Sequence, residues 1–110
     1  MKALLVKPNE HPVQIEVKSD LNSLRSAIGV NYIEIYHPFD DWKVAIVCDE
    51  EGKLNGAKLC RILIDSDAIV EYLFGAFLIL GEGAEDFKSL SANQITKYAK
   101  MFTGLACKLR

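Results

Sequence analysis

Short apolar runs, each closed at both ends by turn-forming residues, are the feature that most restricts the fold of this 110-residue chain. The clearest run covers 42–48, between the acidic pair 40–41 and the acidic cluster 49–51, which is followed by Gly52. Such residues form solvated turns, and Gly52 is expected to take the positive φ of a hairpin loop. A strand of this length holds the two acidic groups roughly 20 Å apart at ~3.3 Å per residue, whereas paired acid–base catalysis needs about 5–10 Å. We therefore predict turns here and no catalytic carboxylate pair.

Four further segments have strand patterns. Residues 2–7 and 13–17 are predicted to pair as a hairpin, and 31–37 alternates in the manner of a strand. Residues 57–64 fit either a helical turn or a strand. Residues 69–80 fit two strand segments, or one helical turn followed by a central strand.

Two helices are indicated by capping signals. Asp20 is a favourable N-cap for a helix over 21–28, and Gly29 suits the left-handed position after its end. Near the C-terminus, Ser91 and Gln94 match the capping box S-x-x-Q, which predicts a second amphipathic helix.

The order of these elements predicts an α+β domain covering 1–110. Strands follow one another more often than they alternate with helices, which favours hairpins. We expect a mostly antiparallel, or mixed, sheet of about five to six strands with two helices packed on it. A chain of this length forms one domain and can bury a core without disulfides.

Composition excludes several classes of protein. Thirteen Lys and Arg residues against 15 Asp and Glu give a net charge of −2, too little positive charge for strong nucleic-acid binding. The N-terminal apolar run is too short for a signal peptide, and the longest apolar stretch, 72–80, is about half of a membrane-spanning helix. We expect a cytoplasmic protein that does not enter a membrane.

The three cysteines, Cys48, Cys60 and Cys107, show no metal-binding or redox spacing. Buried free thiols are the expected state in a reducing compartment. Cys48 or Cys60 could still meet His37 in space and form a nucleophile–base pair. Because no nucleophile and base occur at a recognised spacing, we expect no enzymatic activity.

No cofactor or metal motif is complete. Residues 65–67 with Glu71 resemble the start of a calcium loop, but the third oxygen ligand and the glycine that follows it are missing. The segment 81–83 resembles a phosphate loop, but three nearby carboxylates would repel a phosphate. His11 and His37 have no ligand-type neighbour at helical spacing. We therefore expect no metal and no cofactor.

Arg61 is the first candidate site residue, because it lies in the apolar segment 59–63. A buried guanidinium needs a partner, since an unpaired buried charge is costly. One interpretation is an internal salt bridge to a nearby carboxylate: Asp49, Glu50, Asp65 or Glu71. The other is a fork that binds a phosphate or carboxylate of a ligand or partner.

An aromatic set near one hairpin supplies the other candidates: Tyr32, Tyr36, Phe39 and Trp42. Alternation places Tyr32 and Tyr36 opposite Ile33 and Ile35. If the isoleucines face the core, the tyrosines are exposed and suited to an interface or a stacking site. Packing of the aromatic rings beneath a helix is the alternative.

Several stretches, in order along the whole chain, resemble a family of small bacterial and phage proteins of unknown function. They are MKALLVKPNE, LNSLRSAIGVNYIEIYHPFDD, VAIVCDEEGKLNG, the segment around Arg61, GAFLILG and EDFKSLSANQITKY. Arg61 matches the family pattern, whereas Cys60 and Asp49 stand where asparagine is common. The resemblance implies genes of phages and mobile elements in Gram-positive bacteria and their relatives, sometimes beside or fused to antirestriction-type domains. It implies no enzymatic activity.

Three functions fit these expectations. The first is a non-enzymatic accessory protein that counters a host defence by binding a host defence protein through the aromatic set. The second is a protein that sequesters a small nucleotide-like ligand, with Arg61 on the phosphate and an aromatic ring on the base. The third is a structural domain without a catalytic role. The apolar excess and the long run 72–80 also favour a homodimer.

Overall fold

A computed structural model of residues 1–110 shows two β-sheets and two α-helices. The helices are α1 (Leu21–Ile28) and α2 (Ala92–Met101). The strands are β1 (Lys2–Val6), β2 (Val13–Glu16), β3 (Ile33–Tyr36), β4 (Val44–Asp49), β5 (Leu59–Asp65), β6 (Ala68–Phe74), β7 (Phe77–Glu82), β8 (Phe87–Lys88) and β9 (Ala106–Lys108). All strand pairs are antiparallel except β5 with β9. The predicted α+β class is confirmed.

The large sheet has the order β2-β1-β7-β4-β3, with β8 paired to β7. One of its faces is covered by α1, whose Leu24 and Ile28 pack against side chains of β1, β4 and β7. The other face packs against the small sheet and α2. Because its central strands are buried on both faces, β4 and β7 are continuous apolar runs and not alternating ones.

The small sheet has the order β6-β5-β9 and was not anticipated as a separate sheet. Its inner face contributes Leu63, Leu73 and Cys107 to the main core. Aromatic rings from α2 and the large sheet fill the space beside it, and Phe77 meets Phe102 edge-on at 5.6 Å between ring centroids. Edge-on contacts of this kind add to the free energy gained from burial.

Both helix predictions are confirmed. Asp20 accepts a hydrogen bond from the Ser23 amide at 2.9 Å, and Gly29 closes α1 with a φ of 69°. Ser91 and Gln94 form the reciprocal capping box at the start of α2. Neither helix is long and apolar enough to cross a membrane.

The two ambiguous segments are strands. Residues 57–64 contain most of β5, and 69–80 splits into β6 and β7 at Gly75, whose φ is 79°. Ser66 and Asp67 both have positive φ, so residues 65–67 form the tight turn between β5 and β6 and not a calcium loop. The strand predicted over 42–48 begins two residues later, at Val44.

The expected positive φ at Gly52 is wrong, since the residue of that loop with positive φ is Gly56, at 77°. Gly52 is needed for a different reason. A Cβ atom at Gly52 would lie 2.8 Å from the backbone oxygen of Phe74. The 50–56 loop therefore packs directly on the end of β6.

We expect Gly52→Ala to lower the free energy of unfolding by about 1–3 kcal/mol, because the methyl group meets backbone that must shift. Gly104→Ala is the matched control, since its Cβ would meet nothing closer than 4.0 Å. Urea denaturation of both variants measures the difference. Equal stability of the two variants would contradict the close packing of this loop.

Candidate functional site

Arg61 is the one charged residue buried in the core, with 3% of its surface exposed. A register shift between Leu59 and Arg61 turns both Cys60 and Arg61 inward from β5. This bulge is why an arginine in an apolar segment points towards the interior.

The predicted salt bridge of Arg61 is wrong, because its guanidinium bonds backbone carbonyls and no carboxylate. Nε donates to the Phe102 oxygen at 3.0 Å, and Nη1 donates to the oxygens of Cys60 at 2.8 Å and Lys7 at 3.3 Å. Nη2 donates to the Glu10 oxygen at 2.5 Å. Phe102 caps the C-terminal end of α2, where the helix dipole is negative, so dipoles replace an acidic partner.

A cavity of about 240 Å³ adjoins Arg61. It lies between the β1–β2 loop and the segment after α2, and its lining contains no Tyr, Trp or Phe. Ligand sites are usually 300–1,000 Å³. The one ring in the lining is the imidazole of His11, and most N–H groups of the guanidinium are bonded to carbonyls, so the free arginine fork expected for a nucleotide is not present here.

The structure divides the aromatic set into two inward and two outward side chains. Phe39 packs on Tyr98 with ring centroids 4.6 Å apart, and Tyr36 packs on the same core. The expected exposure of Tyr36 is wrong, since Tyr36 is half-buried while Ile35 on the opposite face of β3 is exposed. The alternation itself is correct, but the face that packs on the main core is the one that carries Tyr36.

Tyr32 and Trp42 are the exposed members, at 58% and 71%. They flank the β3–β4 hairpin at opposite ends. Tyr32 accepts a hydrogen bond from the Glu50 amide at the start of β3, whereas Trp42 lies in the connection that precedes β4. The predicted aromatic surface is therefore not one continuous surface.

Trp42 is surrounded by charge. The ammonium of Lys43 lies 5.4 Å from the centre of the indole ring, within reach of a cation–π contact. Asp40 and Asp41 precede the indole in sequence, and the amide of Glu82 donates to the Lys43 oxygen at 2.7 Å. The surroundings of the exposed ring thus carry charges of both signs, since Lys43 contacts the ring and Asp40 pairs with Arg110. We call Trp42 with Asp40, Asp41 and Glu82 the Trp42 patch.

A second cavity, of about 180 Å³, was not predicted from the sequence. It opens between the β3–β4 hairpin and β6, and four carboxylates line it: Glu34, Asp49, Glu50 and Glu71. Lys53 is the one basic residue in the lining and forms a 2.6 Å ion pair with Glu71. A cavity with this charge repels phosphate. Its residues come from distant parts of the chain, so no local pattern marked it.

The acidic side chains at the two ends of β4 belong to turns, as predicted, and accept hydrogen bonds there. Asp49 accepts hydrogen bonds from the Glu51 amide at 2.9 Å and from the side chain of Asn55 at 2.8 Å. Asp41 accepts from the Lys43 amide at 3.0 Å and from the side chain of Gln94 at 3.2 Å. No group of three or more His, Cys, Asp or Glu side chains is arranged to hold a metal ion.

The three thiols are buried and free. Burial raises the pKa of Cys48 to about 12 and that of Cys60 and Cys107 to about 11, although the positive charge of Arg61 opposes the last two shifts. The nearby acceptors are backbone oxygens, Glu34 for Cys48 and Val6 for Cys60. His37 contacts Glu82 and neither of these thiols. The thiols are therefore protonated at neutral pH and have no base beside them.

We expect Arg61→Ala to lower the free energy of unfolding by about 3 kcal/mol or more, since several buried carbonyls lose their donor. Arg110→Ala is the control, because it breaks only surface ion pairs to Asp40 and Asp65, worth about 0–1 kcal/mol. Urea denaturation measures both. A cost below about 1 kcal/mol for Arg61→Ala would instead leave its guanidinium available for a ligand.

The raised thiol pKa values predict a loss of stability at high pH. Each thiol stays protonated to higher pH in the folded chain than in the unfolded chain. The contribution of these thiols to the free energy of unfolding is therefore complete below about pH 9 and is lost as the pH rises through about 11 to 12. Thiol labelling at pH 7 should be slow in the folded protein and fast in denaturant. Rapid labelling of Cys60 in the folded protein would contradict this and support a reactive thiol.

Comparison with known proteins supports the resemblance to a family without an assigned function. No curated protein and no solved structure matches the chain. A family model described as a domain of unknown function, DUF3846, matches residues 1–103. The chain therefore belongs to the DUF3846 family.

Proposed function

We propose that this protein is a non-catalytic accessory protein of a phage or other mobile element, which acts in the host cytoplasm and counters a defence by binding a host protein. The mobile-element setting rests on the sequence resemblance. The observation that carries the binding role is the exposure of Trp42, the single tryptophan of the chain.

Leaving an indole in water forgoes a large hydrophobic gain, because aromatic side chains bury about 150–250 Å² each when covered. Tryptophan is also among the residues most enriched at the energetic centres of interfaces. Trp42 is held outward by its neighbours, since Phe39 is fixed in the core and Asp41 is bonded to α2. The backbone that carries the ring is therefore anchored, which lowers the entropic cost of ordering this loop on binding.

The charges of the Trp42 patch indicate the chemistry of the partner. Asp40 is largely exposed, and Glu82 is partly exposed beside His37. A complementary partner offers an apolar pocket for the indole, with Lys or Arg facing Glu82 and an acidic side chain facing Lys43. Charge of this kind contributes mostly to the association rate and to specificity.

Other features favour this function over small-ligand capture and over catalysis. The cavity beside Arg61 is small, its one ring is the imidazole of His11, and most N–H groups of the guanidinium already have partners. The cavity between the β3–β4 hairpin and β6 carries four carboxylates. The thiols are buried and protonated at neutral pH.

The test compares Trp42→Ala with Tyr32→Ala, a matched removal of an exposed ring at the far end of the same hairpin. Tagged wild type and both variants are expressed in bacteria that carry a phage-defence system, and bound host proteins are quantified. We expect one host protein whose capture falls by at least tenfold with Trp42→Ala, the scale of a hot-spot residue. Tyr32→Ala should leave the capture unchanged.

Fluorescence of the single tryptophan provides a direct readout with the purified partner. Free protein should emit close to the wavelength of indole in water and be quenched readily by acrylamide. Binding should shift the emission to shorter wavelength and protect it from the quencher. Capture that is unaffected by Trp42→Ala, or a co-purifying compound of small mass in place of a protein, would contradict the proposal.

A further inference from the structure

The outer face of the small sheet is mainly apolar, and its β6 side is exposed. Register defines two rows of side chains across it: Tyr72, Ile62 and Ala106, and Ile69, Ile64 and Lys108. We call these six residues the outer face. Tyr72 is 43% exposed and Ile69 is 53% exposed.

The orientation of this face follows from alternation along β5. Arg61 and Leu63 are buried on the inner side, so Ile62 and Ile64 point the other way. Neither isoleucine packs against either core cluster. Both helices pack against the large sheet or the main core, so no layer of this chain lies over the outer face.

We propose that the outer face binds the same face of a second copy of this chain, with the strands of the two copies antiparallel. This inference concerns a surface other than the Trp42 patch and does not rest on the proposed function. A two-fold axis perpendicular to the strands sets each row of one copy against the other row of its partner, and symmetric contacts between identical faces are how most dimers form.

Charge complementarity supports the antiparallel orientation. The β5–β6 turn carries exposed Asp67 at one end of the face, and exposed Lys58 precedes β5 at the other end. Antiparallel pairing places Asp67 of each copy near Lys58 of its partner, whereas parallel pairing places like charges together. The net charge of −2 per copy adds little long-range repulsion.

The face, and not the edge of the sheet, is the surface available for this contact. β6 is an edge strand, but a register shift at Val70 distorts it and discourages strand-to-strand addition. The face is about 23 Å long and 14 Å wide, at ~3.3 Å per residue and ~4.8 Å per strand. Two faces of this size cover about 640 Å² in total, so a specific interface of about 1,200 Å² must also bury the rims around them. A micromolar dimer is expected from this area.

Sedimentation equilibrium across the micromolar range tests the dimer. The wild-type mass should rise from 12.3 kDa towards twice that value. Tyr72→Glu should weaken dimerisation by at least tenfold, because it places a carboxylate within the apolar contact. Val13→Glu is the matched control, since Val13 is also exposed, at 53%, but lies on β2 of the large sheet.

A charge-reversal pair tests the orientation with exposed residues, whose substitution should leave the fold intact. Lys58→Glu should weaken dimerisation by placing its carboxylate beside Asp67 of the partner, and adding Asp67→Asn should restore most of the loss. Asparagine tolerates the positive φ of 67° at this position.

Three results would overturn the proposal. The first is a monomer throughout the micromolar range, and the second is a dimer that Tyr72→Glu leaves intact. The third is a Tyr72-dependent dimer that is insensitive to Lys58→Glu, which excludes the antiparallel arrangement. Circular dichroism of each variant confirms that the loss of dimer is not a loss of fold.

Discussion

The hydrogen bonds of Arg61 determine how the rest of the molecule is arranged. One guanidinium joins β5 to the β1–β2 loop through Lys7 and Glu10, and to the end of α2 through Phe102. These three segments are far apart in sequence, so their mutual placement depends on a side chain that can donate in several directions at once. With β5 fixed in this way, Leu63 and Cys107 reach the core and the opposite face of the small sheet is left in water.

Local sequence patterns predicted both helices and most strands, whereas no pattern in the sequence indicated which distant strands pair. Asp20 and Ser91 act on amides within three residues, so the capping patterns predict both helix starts. The small sheet depends on β9 pairing in parallel with β5, more than forty residues earlier. A three-residue strand has too few residues to show alternation, and no turn links it to its partner. The sequence therefore predicted one sheet where the chain forms two.

The candidate site likewise combines features that a local sequence pattern predicts with features that only the folded structure shows. Arg61 could be recognised as unusual because an arginine in an apolar segment requires compensation. The hydrogen-bond partners of Arg61 could not be identified from the sequence. They are backbone carbonyls, which every residue has, whereas the sequence shows only which residues carry carboxylates. For β3 the alternation was correct, but both faces of the large sheet are covered, so the period could not show which face packs on the main core. That choice is made by the small sheet and α2, which receive Tyr36.

The large apolar side chains of this domain that stay exposed do so for two separate reasons. The core already contains Phe39, Phe77, Tyr98 and Phe102 in mutual contact, and adding Trp42 to it would require the Asp41 bonds to Gln94 and Lys43 to break. Native cores are packed near crystal density, so a further indole would force neighbouring rings apart. The outer face is exposed for a different reason, because the chain has no third layer to place on it. Trp42 is thus a single ring on a charged loop, suited to a partner with a pocket. The outer face is a flat apolar surface, suited to another flat surface of the same shape.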